Sequence, residues 1–417
     1  MRDTSRATTI NNAGAEDVPN DRHHILLFLR WPLLLLQLVG ISPLYTIKGQ
    51  YEIGLPKRRA IFITRAVLLT KVFLNIVHIL YLLSPTMLEM LFLKSNTDGM
   101  TNVLDIALCI LSDSIITWSC VANTNKIINI LNGYLKVDKV LKQFPDPLTE
   151  KPFATNQFNR YLIWMLGFYC IAIFAYAKQT VYKLSVYFFV HVLIYMLQNA
   201  SSIIFVVFIS ALLYLLAERL RFVNMLIPQY NRRGVSNRVL SRNVFNQNEE
   251  NLRRFAENST LIYSLHLDLL NLYKMMNEYA GLGLLAFVLY ACCGLLACIY
   301  DVALNIHIFT DNLYYSLWIM LWLPYFLGGL VLLATNCAQA TREANNTSQI
   351  LARVYGKGKE YQNIIDKFLT KSIRQDVHFT AYGFFVIDNT TLFKISSALV
   401  TYLVILIQFK QLEKSKD

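Results

Sequence analysis

Charge is scarce in this chain. Charged residues fill only 16% of its 417 positions, whereas soluble domains carry roughly a quarter. Apolar residues fill 55%, and mean hydropathy is +0.39. That balance excludes an ordinary soluble domain and places the chain in a membrane. Cysteine is also sparse. The seven present are scattered, which excludes a disulfide framework. Cys109, Cys170, Cys292, Cys293 and Cys298 fall in apolar stretches, where a thiol serves as a small hydrophobe. No CxxC pair exists, so no metal site is expected. HExxH, a Walker loop and GxSxG are all missing, which leaves no support for an enzyme or for a bound cofactor. Gly281-Leu282-Gly283 opens an apolar run and is no phosphate loop.

What is present is a series of apolar runs long enough to cross a bilayer. Runs of about 18 or more mostly apolar residues cover 60–83, 104–122, 160–178, 184–216, 280–300, 315–336 and 390–409. The fourth exceeds one crossing at about 1.5 Å per residue, so from Leu212 it should continue as helix into water. An eighth run, 25–41, is interrupted by Arg30-Trp31-Pro32 and is expected to form a short interfacial helix. A basic-then-apolar signal pattern with a small-residue cleavage site is not evident.

Basic residues are distributed unevenly. With the N-terminus inside, segments 1–59, 123–159, 217–279 and 337–380 hold about 29 Lys and Arg, and the opposite loops hold about 5. Lys57-Arg58-Arg59, Arg219, Arg221 and Arg342 sit near span ends. The positive net charge therefore reports orientation, not nucleic-acid binding. The expected fold is an all-α membrane protein. It has seven transmembrane helices, a cytoplasmic N-terminus, an external C-terminus, an N-terminal interfacial helix and cytoplasmic anchor helices. Its segments are a disordered 1–22, the interfacial helix and first four spans over 23–216, and a cytoplasmic extension with anchor helix over 217–279. Spans five and six follow over 280–336, an anchor segment over 337–380, and a final helix with a short tail over 381–417. Asn-x-Ser/Thr triplets begin at Asn199, Asn258, Asn345, Asn346 and Asn389; this topology leaves none of them exposed outside.

Within 251–279, Leu252, Phe255, Ala256, Ile262, Leu265, Leu269, Leu272 and Met276 recur at helical spacing. A helix should run from here into the fifth span, with its apolar stripe binding subunits together or packing within one subunit; the first is favoured. Ile350, Leu351, Val354, Ile364, Ile365 and Leu369 repeat the pattern more weakly. The last run carries a polar stripe: Lys394, Ser397, Thr401 and Gln408 share one helical face, with Val404 between. A helix surrounded by lipid has no use for such a face. One that lines water or packs on a partner does.

Thr401-Tyr402, five apolar residues, then Gln408-Phe409 match the TYhhhhhQF signature of the final helix in insect gustatory receptors. Phe379-Thr380-Ala381-Tyr382-Gly383-Phe384-Phe385-Val386-Ile387-Asp388 also resembles that family's approach to the helix. The resemblance implies a ligand-gated, non-selective cation channel of chemosensory neurons, multi-pass in the plasma membrane. Assembly would be as a homotetramer or as a heterotetramer with related receptors. By position in the motif, Gln408 and Phe409 would form the constriction, with Ile405 and Thr401 below them. Lys410 follows directly and would put four ammonium groups at the pore mouth. Lys410→Glu is then expected to raise cation conductance.

A small-molecule tastant should bind among the outer span ends. Candidates are Asp311, Asn312, Tyr315 and Trp318 at the start of the sixth span, Tyr300 and Asp301 at the end of the fifth, and Tyr187, His191 and Tyr195 at the start of the fourth. Aromatic faces with hydrogen-bonding groups suit a sugar or a bitter compound; an interfacial belt of Tyr and Trp uses the same residue types. His78 and His266 lie in apolar helical stretches and are expected to be packed and satisfied. Alternatives remain: a metabotropic seven-span receptor, which the basic-loop bias opposes, a related odorant-receptor channel subunit, or a transporter with two related halves.

Overall fold

The computed structural model describes residues 28–40, 46–48, 52–54, 58–85, 88–89, 96–142, 144, part of 158–171, 186–240, 245–304, 313–354 and 377–415. Eight helices run through these: α1 (Arg30–Leu38), α2 (Arg58–Leu82), α3 (Asn96–Ala122), α4 (Thr124–Leu141), α5 (Val186–Leu240), α6 (Phe245–Leu304), α7 (Leu313–Val354) and α8 (Asn389–Lys414). A two-stranded hairpin pairs Thr46–Lys48 (β1) with Glu52–Gly54 (β2), Ile47 opposite Ile53. These are the only β-strands among the described residues; a single bridge, Thr380–Val386, stands apart from them.

Among the described residues, six helices are long and apolar enough to cross a membrane: Arg65–Leu82, Gly99–Ala122, Val190–Ile227, Leu261–Leu304, Trp322–Thr347 and Asn389–Glu413. The run at 160–178 falls largely outside the described residues, although those described between 158 and 171 are helical.

Helix α5 is the central post. Every residue from Ser201 to Leu213 is buried, and the stretch is apolar apart from three serines, as suits a core helix. Helix α7 lies along it, α3 and α6 close two further sides, and α8 rests on α6 and α7. The close approach of α3, α5 and α6 depends on Gly283, where an added Cβ would come within 2.9 Å of the Phe205 ring. Helix α5 runs unbroken to Leu240, the continuation expected beyond Leu212.

Helix α1 begins at Arg30, which makes Pro32 its third residue. The first four helical N–H groups have no partner within a helix, so proline costs nothing there. Phe28, Leu29, Leu33 and Leu36 are buried, and Phe28 stacks on Tyr214 of α5 at 6.3 Å.

Two expectations for the basic end need correction. Segment 123–159 is not merely a loop: α4 occupies Thr124–Leu141 and buries Ile127, Leu131, Tyr134, Leu135 and Val137. The apolar stripe of 262–276 is also not presented to a partner. Ile262, Leu265, Leu269, Leu272 and Met276 are all buried within the single chain, because α4, α5 and α7 cover them. The helix itself runs continuously from Phe245 to Leu304 as expected. The side chains of Leu252, Phe255 and Ala256, and all of 355–376, lie outside the described residues.

A buried ion pair ties α4 to α5 at this end. The Arg219 guanidinium donates through Nε to Asp138 Oδ1 at 2.7 Å and through Nη2 to Oδ2 at 3.0 Å. Its Nη1 donates to the Leu215 carbonyl at 2.9 Å, and its carbon lies 5.6 Å from the centre of the Tyr134 ring. Burial pushes the Tyr134 hydroxyl well above its ordinary pKa. That hydroxyl donates to the Leu212 carbonyl at 2.7 Å.

Candidate functional site

The segment that launches α8 is a tight hairpin. Thr380 bridges Val386, and Ala381 N–H donates to the Phe385 carbonyl at 2.9 Å. Its tip has Tyr382 at φ 52° and Gly383 at φ 80°, successive left-handed residues that glycine tolerates and tyrosine resists. Asn277 of α6 holds the hairpin, accepting from Thr380 N–H at 2.8 Å and donating to its hydroxyl at 3.2 Å. Asn345 of α7 does the same for Val377, accepting at 3.1 Å and donating at 3.2 Å. Gly281 permits the approach, since a Cβ there would meet the Tyr382 backbone nitrogen at 3.0 Å. Asp388 then caps α8 by accepting from Thr391 N–H at 2.7 Å. Partial burial alone would raise its pKa, but the Thr391 hydrogen bonds and Lys394 hold it below the usual carboxylate value.

Helix α8 has two contrasting faces. Leu392, Ile395, Leu399, Leu403, Leu406, Lys410 and Glu413 are covered or half-covered, at steps of three and four that make one seam; Thr391 and Ile407 beside it are half-covered too. Lys394, Ser397, Thr401, Val404, Ile405 and Gln408 are exposed. At 3.6 residues per turn they lie on roughly the opposite side. Phe409 is 58% exposed and Tyr402 59%, flanking that outer face. The polar stripe thus points away from its own chain.

Lys410 does not share that direction. It is 9% exposed, turned toward its own chain, with Nζ 3.9 Å from Glu413. Glu413 in turn accepts from the Thr97 hydroxyl of α3 at 2.9 Å. The expected ammonium ring at the mouth is corrected by this geometry: Lys410 falls on the seam because it lies two residues past Gln408, about 200° around the helix.

The Thr97–Glu413 bond sets the end of α8 beside the start of α3. Deeper in the bundle, α2, α3, α5, α6 and α7 enclose a polar network. Lys71 pairs with Asp113 at 2.8 Å, both side chains buried. Asp113 also accepts from Asn75 at 3.1 Å and from Ser201. Gln198 donates to Asn75 at 2.9 Å and meets His78 at 3.0 Å, and His78 meets His191 at 2.7 Å. One turn further toward the same end, Tyr195 donates to Asp105 at 2.6 Å and lies 3.2 Å from the Tyr290 hydroxyl. Tyr290 donates to Asn199 at 2.6 Å. Aromatic rings wall this part: Tyr195 and Trp322 at 5.5 Å, Tyr290 and Phe326 at 5.3 Å, Trp322 and Tyr325 at 5.3 Å. Gly294 lets Phe326 lie against α6, since a Cβ would fall 2.2 Å from that ring.

Of the pocket residues expected from sequence, His191 and Tyr195 are brought together here, on either side of one helical turn. Tyr300 is fully buried and Asp301 partly so, about three turns beyond Tyr290 on α6. Tyr187, Tyr315 and Trp318 sit in α5 and α7 with side chains outside the described residues, and Asp311 and Asn312 are also outside them. His78 is packed and satisfied, as expected, but its partners are network residues. Sequence reasoning missed Lys71, Asp105 and Asp113, though each is an ionisable residue inside an apolar run. That is the signal that marks intramembrane function. Asn199 is fully buried and hydrogen-bonded, so its Asn-x-Ser triplet accepts no glycan in the folded chain. No group of three or more metal-ligating side chains gathers among the described residues.

A family model described as 7tm Chemosensory receptor matches residues 29–413. Gustatory and pheromone receptor 32a of Drosophila melanogaster is 36% identical over 95% of this chain and 88% of its own length. Gustatory receptor 68a of the same organism is 33% identical over 78% of this chain and 80% of its own. The insect olfactory receptor OR5 from Machilis hrabei superposes with a TM-score of 0.63 at 13% identity, covering 94% of this chain and 100% of that one. The same receptor has been solved in complex with eugenol.

Proposed function

The chain belongs to the 7tm chemosensory receptor family, a family of multi-pass membrane receptors and not of enzymes, and on that premise we propose that it is a gustatory receptor acting as a ligand-gated, non-selective cation channel. The observation that carries this reading is the outer face of α8. Thr401, Ile405 and Gln408 point away from the side of the helix that packs on its own chain, and Phe409 flanks them. In lipid that polar face has no partner. Four copies arranged with α8 inward would give it water and one another. A ring of Phe409 side chains then closes the pore by excluding water, and a small outward shift of α8 brings Gln408 toward the axis and wets it. Seven spans, with one over 160–178, and a cytoplasmic N-terminus in the plasma membrane of chemosensory neurons complete the proposal. The basic-loop bias supports that orientation.

The tastant site is the aromatic and polar cluster around His191 and Tyr195. It lies at the same end of the bundle as Phe409, which shortens the path between binding and gating. Its walls belong to α6 and α7, the helices on which α8 rests. A tastant opens the pore to the extent that it binds the open arrangement more tightly. Whole-cell current in a heterologous cell, with surface expression verified and G-protein signalling blocked, tests the reading. Phe409→Ala is expected to produce a standing cation leak without ligand. A silent Phe409→Ala chain at the cell surface refutes the gate.

A further inference from the structure

Two carboxylates stand in the network, and they are treated differently. Asp113 has a counterion in Lys71 at 2.8 Å. Asp105 has none: among the described residues no Lys, Arg or His forms an ion pair with it. Its Oδ2 accepts from Tyr195 at 2.6 Å. Its Oδ1 is closed off from solvent and accepts no hydrogen bond. A carboxylate held in the apolar layer without a cation is costly, and the cost persists only where a partner repays it.

The surroundings say what that partner must look like. Tyr195 packs on Trp322 at 5.5 Å, Trp322 on Phe326 at 5.8 Å, and Tyr290 on Phe326 at 5.3 Å. Aromatic faces attract a cation and an apolar body together. The neighbouring polar groups are already engaged: Tyr290 with Asn199, Tyr325 with the Asn199 carbonyl at 2.9 Å, Gln198 with Asn75. A polyhydroxylated ligand needs many open donors and acceptors and would have to break these bonds. An ammonium group is drawn to an anionic acceptor, and Asp105 Oδ1 is one that accepts no other hydrogen bond. We infer that Asp105 is the anchoring anion of a site for protonated amines with an aromatic or aliphatic body. The inference rests on the tastant pocket proposed above and names its ligand class.

The test uses the full chain purified in detergent, with thermal unfolding as readout, because binding to the folded state raises the melting temperature whether or not a channel opens. The probes are 2-phenylethylamine and benzyltrimethylammonium, with 2-phenylethanol as the uncharged counterpart of the first. Both cations should stabilise the chain in a saturable way at concentrations where the alcohol does not. Asp105→Asn should weaken the amine effect at least tenfold and leave the alcohol effect unchanged. Equal stabilisation by amine and alcohol, no stabilisation by either cation, or an undiminished amine effect in Asp105→Asn each overturns the inference. If Asp105→Asn does not fold, the amine–alcohol pair on the unaltered chain still decides. Amine stabilisation without any evoked current keeps this site and removes the channel reading. A Phe409→Ala leak without amine discrimination does the reverse.

Discussion

Removing Asp138 should damage this protein more than removing Arg219, although the two form one ion pair. The Arg219 side chain is 2% exposed and that of Asp138 20%. In Asp138→Ala the guanidinium loses the 2.7 Å and 3.0 Å bonds and keeps the bond to the Leu215 carbonyl. It then stays buried without the Asp138 carboxylate, which costs about 3–5 kcal/mol. In Arg219→Leu the stranded carboxylate is the partner nearer water and can hydrate. The loss there should be about 2 kcal/mol, near the low end for a charged hydrogen bond. Replacing both by leucine should recover most of the deficit, since a well-packed apolar pair is often no worse than a buried ion pair. The assay is thermal survival of a fluorescent fusion by detergent size-exclusion chromatography, across the unaltered chain, both single variants and the double variant. Asp138→Ala should melt lowest. If Arg219→Leu melts lower, or if the double variant is worse than either single one, the pair does not act by charge compensation.

Two further outcomes follow from packing. Gly294→Ala places a methyl 2.2 Å from the Phe326 ring and must push it into the Trp322 and Tyr325 stack. About 1–3 kcal/mol of overpacking is expected, read as a lower melting temperature with a right-shifted tastant response; an unchanged response would separate that stack from the binding site. Lys410→Glu sets a second carboxylate against Glu413 on the covered seam of α8. It should lower thermal stability and leave unitary conductance unaltered, and raised conductance at unchanged stability would return Lys410 to the ion path.

The long apolar runs made most of the helices legible, and the continuation of α5 past Leu212 followed from the length of its run alone. Helix α4 was legible in principle from the spacing of Ile127, Leu131, Tyr134 and Leu135, but its mixed polarity reads as a basic loop. The polar stripe of α8 could be read because period and polarity coincide on one face. That Lys410 leaves the stripe also follows from period, yet sequence adjacency to Phe409 concealed it. The network was the least legible part. Its pairs join residues 38 to 123 positions apart, and no local pattern says that Asp113 meets Lys71 while Asp105 does not. The partner of the 262–276 stripe was misassigned for a related reason: periodicity shows that a face will be covered, not by which surface.

The two faces of α8 answer to separate constraints. Leu392, Ile395, Leu399 and Leu403 must suit the helices of their own chain, or the chain will not fold. Thr401, Ile405 and Gln408 are exposed on the other side. Variation on the outer face can therefore change what that face meets outside the chain, with less consequence for how each chain folds. A lineage built this way can diversify its output at one helix surface without first rebuilding its scaffold.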